Sequence, residues 1–313
     1  MGPEALSAGS ARAIRWPLVA AAATGVQVGA AIVASRFAVA EVPPLTLAML
    51  RYAIGFACLL PFAWRVLSRS AAANAAPTVT ASRSGDLLAM AALGIGQFGI
   101  LIALLNFGLQ HVGAAQAALI FSLFPLLTLL LSAALGRERV TWRLLAGVLL
   151  SIAGVALALA PKLGAAQAGN WWGELAVVAS AATGAVCSVL YQPYLRRYPT
   201  VPVSAFAMLA SVLFLALLAT SEHWTERLAT ISASAWAAVV FIGVSSGIGY
   251  FWWLYALKHE SPTRVTVFLA LNPVTAALLG WALLDEALHP AALGALVLIA
   301  VALWLATRPT ATR

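Results

Sequence analysis

Ten apolar runs, each close to twenty residues long, follow one another along this 313-residue chain. They fall at 16–39, 44–66, 86–107, 112–135, 141–160, 172–195, 201–220, 235–257, 262–284 and 289–307. A bilayer core needs about 20 apolar residues per helix. Only 9% of the residues are charged and 63% are hydrophobic, whereas a soluble domain carries roughly 25% charge. A water-soluble globule could not cover its surface with this composition, and a disordered chain would be polar and charged. The runs are continuous and rich in Ala and Leu. A membrane β-barrel would instead alternate apolar and polar residues. The expected fold is an all-α polytopic membrane protein with ten transmembrane helices.

The first run ends in Ala38-Val39-Ala40, which resembles a signal-peptidase site. Its apolar stretch exceeds the 7–15 residues of a signal peptide, and nine more runs follow, so a membrane span is expected. The net charge is +8, and the basic residues lie between the runs. With the N-terminus placed in the cytoplasm, fourteen of the eighteen Lys and Arg fall inside. Arg36, Lys162 and Arg227 fall outside, and Arg51 lies within a span. That bias is a positive-inside signal for a protein with both termini in the cytoplasm. It is read as orientation, so no nucleic-acid partner is expected. Cys58 and Cys187 lie in separate spans without CxxC spacing, and neither a metal nor a cofactor is expected.

The sequence repeats itself. Leu109-Gln110-His111 matches Leu257-Lys258-His259 at an offset of 148, as Leu123-Phe124-Pro125 matches Leu271-Asn272-Pro273 and Glu138 matches Glu286. Upstream the offset is 159, pairing Thr24-Gly25 with Thr183-Gly184 and Ala48-Met49-Leu50 with Ala207-Met208-Leu209. The difference is taken up by a tether near 67–85. The expected organisation is a tail at 1–15, a five-helix repeat at 16–160, a connecting loop at 161–171, a second five-helix repeat at 172–307 and a tail at 308–313. Five is odd, so the copies must be inverted in the membrane. The basic Arg137-Glu138-Arg139 loop and the matching Asp285-Glu286 loop, which has no Lys or Arg, agree with that. Inverted repeats are a transporter architecture with the substrate site at the midplane.

The chain resembles the drug/metabolite transporter superfamily, in particular exporters with two EamA-type domains. The resemblance rests on Ala48-Met49-Leu50-Arg51, on Ala118-Leu119-Ile120 leading to Pro125, on Gly136-Arg137-Glu138-Arg139 and Gly147, and on Asn272-Pro273, Asp285-Glu286 and Gly294. It covers about residues 18–307. It implies a ten-helix carrier with a central cavity lined by the first, third, fourth, sixth, eighth and ninth helices. It also implies export of amino acids and related metabolites from bacteria, one branch exporting aromatic amino acids and flat cationic drugs. Ala210 stands in the second copy where the first has Arg51.

Polar groups inside spans are the expected substrate contacts, because ionisable residues in a membrane are costly and rare. Arg51 is the charge clearly within a span and is a possible carboxylate anchor. Thr24 and Gln27 share one face of the first span, with Tyr191 on the corresponding face of the sixth. Gln97, Gln116, Ser246, Tyr250, Trp253 and Asn272 complete the expected substrate-binding set. Gln97 and Asn106 fall on opposite faces of a regular helix. Pro125 and Pro273 occupy equivalent mid-span points and are expected as hinges. No acidic residue lies near a span midpoint, which gives obligate proton coupling little support.

The expected activity is therefore a carrier, not an enzyme. It would sit in the bacterial cytoplasmic (inner) membrane, as a monomer or homodimer, and export small metabolites, amino acids first. The alternatives are a multidrug or lipophilic-cation exporter, a channel and, from another class, a membrane-embedded lipid-modifying enzyme.

Overall fold

The computed structural model describes residues 16–72, 84–137, 141–163 and 171–284, with isolated helical positions between 294 and 305. Both tails, the middle of the tether, Glu138-Arg139, Asp285-Glu286, most of the tenth run and the side chain of Gln116 lie outside the described residues. The described residues are all helical with connecting turns and contain no strands. Among the described residues, seven helices are long and apolar enough to cross a membrane.

The first is α1 (Trp16–Ala38), followed by α2 (Pro44–Ala72). α2 extends past its expected end and shortens the tether accordingly. The third run folds as α3 (Ser84–Gly94), a π turn (Ile95–Ile100) and α4 (Leu101–His111). The fourth run, expected as one span, is α5 (Ala114–Phe121) and α6 (Leu123–Ala134), broken at Ser122. Then come α7 (Trp142–Leu163), α8 (Trp172–Arg197) and α9 (Thr200–Ala219). A short α10 (Trp224–Arg227) precedes α11 (Ala233–His259). The ninth run is also broken: α12 (Pro262–Val267) and α13 (Leu271–Leu284) flank a 3-10 turn at Phe268–Ala270.

The two breaks share a cause. Pro125 is the third residue of α6 and Pro273 the third of α13. A proline has no N–H to donate four residues back, and its ring clashes with that carbonyl. The chain interrupts the helix just ahead of each proline, placing it in a first turn where an N–H has no partner anyway.

Helix pairing follows a swapped pattern. α1 packs on α11 and α13, while α8 packs on α4 and α6. α2 packs on α9 and α11, while α9 packs on α2, α3 and the π turn. Glycines allow the approach, as expected where lipid offers no hydrophobic drive and close backbone packing does. A Cβ on Gly29 would lie 2.6 Å from the Asn272 carbonyl oxygen, and one on Gly25 would overlap that of Phe268. A Cβ on Gly247 would lie 2.9 Å from the Gly55 carbonyl oxygen, where α11 crosses α2.

Polar straps tie the helix ends. The Glu222 carboxylate accepts from Leu45 N at 3.0 Å, Thr46 N at 2.7 Å and Thr46 Oγ1 at 2.8 Å. It thereby caps the free N–H groups of α2 and offsets the positive end of its dipole. Glu41 accepts from Ser232 N at 3.0 Å and Ser232 Oγ at 2.9 Å, and Ser232 itself caps α11. At the other end of the bundle Asp86 accepts from Arg197 Nη1 at 3.0 Å and from the Tyr198 hydroxyl at 2.6 Å.

The Ser232 backbone N–H, and then its hydroxyl, hold the Glu41 carboxyl below its ordinary value of 4.5. A lowered carboxyl stabilises the fold above its unfolded value, and that contribution is lost as pH falls through the folded value. Thermal unfolding followed from neutral pH to below 4.5 is expected to decline less steeply in Glu41→Gln than in the parent. Identical slopes would remove Glu41 from the acid response.

Candidate functional site

A partly open cavity lies between α1, α2, the π turn, α4, α5, α6, α11 and the α12–α13 break. Its polar lining is Thr24, Arg51, Gln97, Tyr250 and Trp253. Its apolar lining is Val28, Ile32, Leu101, Ile102, Leu105, Phe121, Phe124 and Leu269.

Arg51 is 3% exposed and sits about 10 Å into α2, at 1.5 Å per residue from Pro44. Its Nε donates to Ser246 Oγ at 2.6 Å, and its Cζ lies 5.6 Å from the Tyr52 ring centroid. No carboxylate pairs with it among the described residues. A guanidinium carries five N–H donors, so one serine leaves most of its capacity open toward the cavity. Burying such a charge without a partner costs several kcal/mol. An anionic ligand group would supply the missing partner.

The π turn delivers Gln97. An i→i+5 turn adds a residue to the helix, and such turns are frequent at functional sites. The Leu101 N–H reaches back to the Gly96 carbonyl, and Gly96, Gln97, Phe98 and Gly99 are all buried. Gln97 is 3% exposed and its Oε1 has no hydrogen-bond partner. The indole Nε1 of Trp253, a residue 2% exposed, is likewise unpartnered. Buried polar atoms are normally satisfied. Two orphans among the residues lining one cavity, one acceptor and one donor, match a ligand that carries both functions.

Aromatic rings close the site. The Tyr52 and Tyr250 hydroxyls are 2.6 Å apart, and the Phe98 ring lies edge-on to Tyr250 at 4.4 Å. Phe124 meets Trp253 at 5.9 Å and Phe121 at 5.4 Å. The Thr24 hydroxyl is shared between the carbonyls of Ala20 at 2.8 Å and Gly249 at 3.2 Å.

Ser246, Gln27, Tyr191 and Asn272 are not part of the cavity lining. Ser246 is fully buried behind Arg51, as its hydrogen-bond acceptor. Gln27 packs on Gly249 and donates to Ser245 Oγ at 3.3 Å. The Tyr191 hydroxyl donates to the Met90 carbonyl at 3.4 Å. Asn272 is buried beside Gly29 with an unpartnered Oδ1. Asn106 donates to the Pro44 carbonyl at 3.1 Å and does not line the cavity.

The family model for EamA-like transporters matches residues 15–160 and 171–308. The chain belongs to the EamA-like transporter family. A probable terminal-alkyne amino-acid exporter of Streptantibioticus cattleyicolor is 32% identical over 235 residues, 72% of this chain and 77% of that one. The aromatic amino acid exporter YddG of Ancylobacter novellus is 30% identical over 172 residues, 53% and 57% of the two chains. A solved crystal structure of a protein 26% identical superposes with a TM-score of 0.66, covering 91% of this chain and 96% of that one. This EamA-like transporter is thus a multi-pass membrane protein of the drug/metabolite transporter superfamily.

Sequence reasoning missed most of the apolar lining of this EamA-like cavity. Phe121 and Phe124 flank the α5–α6 break, and Leu269 sits in the α12–α13 break. The matched Phe-Pro and Asn-Pro positions were the available signal, because a proline marks where a helix is interrupted.

Proposed function

We propose that this chain is an export carrier for neutral α-amino acids, working by alternating access between two inverted five-helix repeats in the cytoplasmic membrane. The observation that carries the reading is Arg51: a buried guanidinium facing the cavity with no acidic partner among the described residues. A substrate carboxylate would complete it. Gln97 Oε1 would accept from the substrate ammonium, and the apolar lining would take the side chain. A zwitterion brings two charges but no net charge into the membrane, and each charge has an assigned partner.

The swapped helix pairing supports the duplicated architecture. With ten spans and the basic loops inside, both termini are cytoplasmic. The breaks ahead of Pro125 and Pro273 serve as hinges on either side of the cavity. Ser246 holds Arg51, while Gln27, Tyr191 and Asn272 tie neighbouring helices together. The names of two relatives, each an amino-acid exporter, favour the same cargo. A lipophilic-cation exporter would have to bring its substrate against the Arg51 charge.

Counterflow in proteoliposomes tests this. Saturable exchange of a subset of neutral amino acids is expected, unchanged by a pH gradient, with no accumulation of tetraphenylphosphonium. Uptake of the cation with no amino-acid exchange would reverse the assignment.

A further inference from the structure

A second groove, separate from the central cavity, opens at the end of the bundle where α8 turns into α9. It lies between Pro199 and Pro202 on that turn and Phe251, Tyr255, Lys258 and His259 on α11. We propose that it seats an anionic phospholipid with a hydroxylated headgroup.

The groove has a charged mouth and an aromatic wall. Lys258 Nζ makes one long contact, 3.5 Å, with the Tyr198 carbonyl. No carboxylate pairs with it among the described residues, because Asp86 is held by Arg197 and Tyr198 and Glu260 by Arg264. The ammonium has donors to spare for a phosphodiester. His259 Nδ1 lies 2.8 Å from the Tyr255 carbonyl. A carbonyl only accepts, so Nδ1 carries a proton, and Nε2 of this exposed ring is left to meet a headgroup hydroxyl. Behind the mouth, Tyr255 lies 4.5 Å from the His259 ring and stacks with Phe251 at 6.2 Å and 28°. Phe251 is eight residues, about 12 Å, deeper than His259. That wall offers an acyl chain apolar contact along its first carbons.

The other repeat supplies an internal comparison. His111 and Phe107 reproduce the His259–Tyr255 pair, with rings 4.6 Å apart and Nδ1 2.9 Å from the carbonyl. Yet Gln110 stands there for Lys258 and Ala103 for Phe251. The cation and the deeper ring are present in one copy alone. That copy lies at the end that the basic loops assign to the cytoplasm, where the membrane surface is negative.

The test uses full-length protein purified in detergent, mixed with equal amounts of phosphatidylglycerol and phosphatidylcholine and examined by native mass spectrometry. Phosphatidylglycerol should be retained at least fivefold over phosphatidylcholine. Lys258→Glu should bring that ratio to parity, and Lys258→Gln should lower it in a protein with unchanged thermal unfolding. Val201→Trp, which fills the groove and keeps the charge, should also bring it to parity. Arg65→Glu, at an exposed cation on the same end, should leave it unchanged. Equal retention of the two lipids by the parent would overturn the proposal. So would a Lys258→Glu variant that keeps the preference, or an Arg65→Glu or Val201→Trp result that reduces the effect to surface charge. Displacement of the lipid by millimolar inorganic phosphate would show that a phosphate ion, not a lipid, is the ligand.

Discussion

Arg51→Gln is expected to lower amino-acid exchange by about ten- to a hundredfold while leaving the protein in the membrane. A hydrogen bond to a charged group contributes about 1.5–3 kcal/mol, and each 1.4 kcal/mol is about a factor of ten. The glutamine keeps the bulk of the side chain and one donor for Ser246 Oγ, which Arg51 now holds at 2.6 Å. Ser246→Ala separates the two roles of the arginine. It removes the positioning bond and leaves the charge, so its loss should be within about threefold. If Ser246→Ala costs as much as Arg51→Gln, the arginine acts by tying α2 to α11 and not by meeting substrate. Initial rates of counterflow over a range of substrate concentrations distinguish these outcomes.

Gly25→Ala is the second large effect, and it acts on the fold. The added Cβ would overlap the Phe268 carbonyl oxygen and approach Leu271 Cβ at 3.3 Å. Backbone cannot rotate away as a side chain can, so α1 must move off the α12–α13 break. Overpacking of this kind costs about 1–3 kcal/mol, and this contact sets the cavity wall through Thr24 and Leu269. Thermal unfolding in detergent should fall by several degrees and exchange should be lost. Gly113→Ala is the control, with open space at its Cβ. Equal stability of the two variants would contradict the packing of α1 on the break.

The sequence made the spans legible because membrane burial demands continuous apolar runs, and the described helices begin and end close to them. The matched prolines located both helix breaks, since a missing N–H is visible in one letter. Arg51 was legible because a charge inside a span is rare. Other features depend on three-dimensional placement. The π turn at Ile95–Ile100 follows no residue pattern, so the burial of four consecutive residues there could not be read. Glu222 lies far from α2 in sequence, and nothing local marks it as that helix's cap. Phe121, Phe124 and Leu105 line the cavity among dozens of equivalent apolar residues.

The proposed transport depends on Arg51 meeting a substrate carboxylate. The most direct measurement is competition of counterflow by an exchanged amino acid and by its carboxamide, in the parent and in Arg51→Gln. The parent should prefer the carboxylate by tenfold or more, and the variant should prefer neither. A preference of the same size in both proteins would contradict the account.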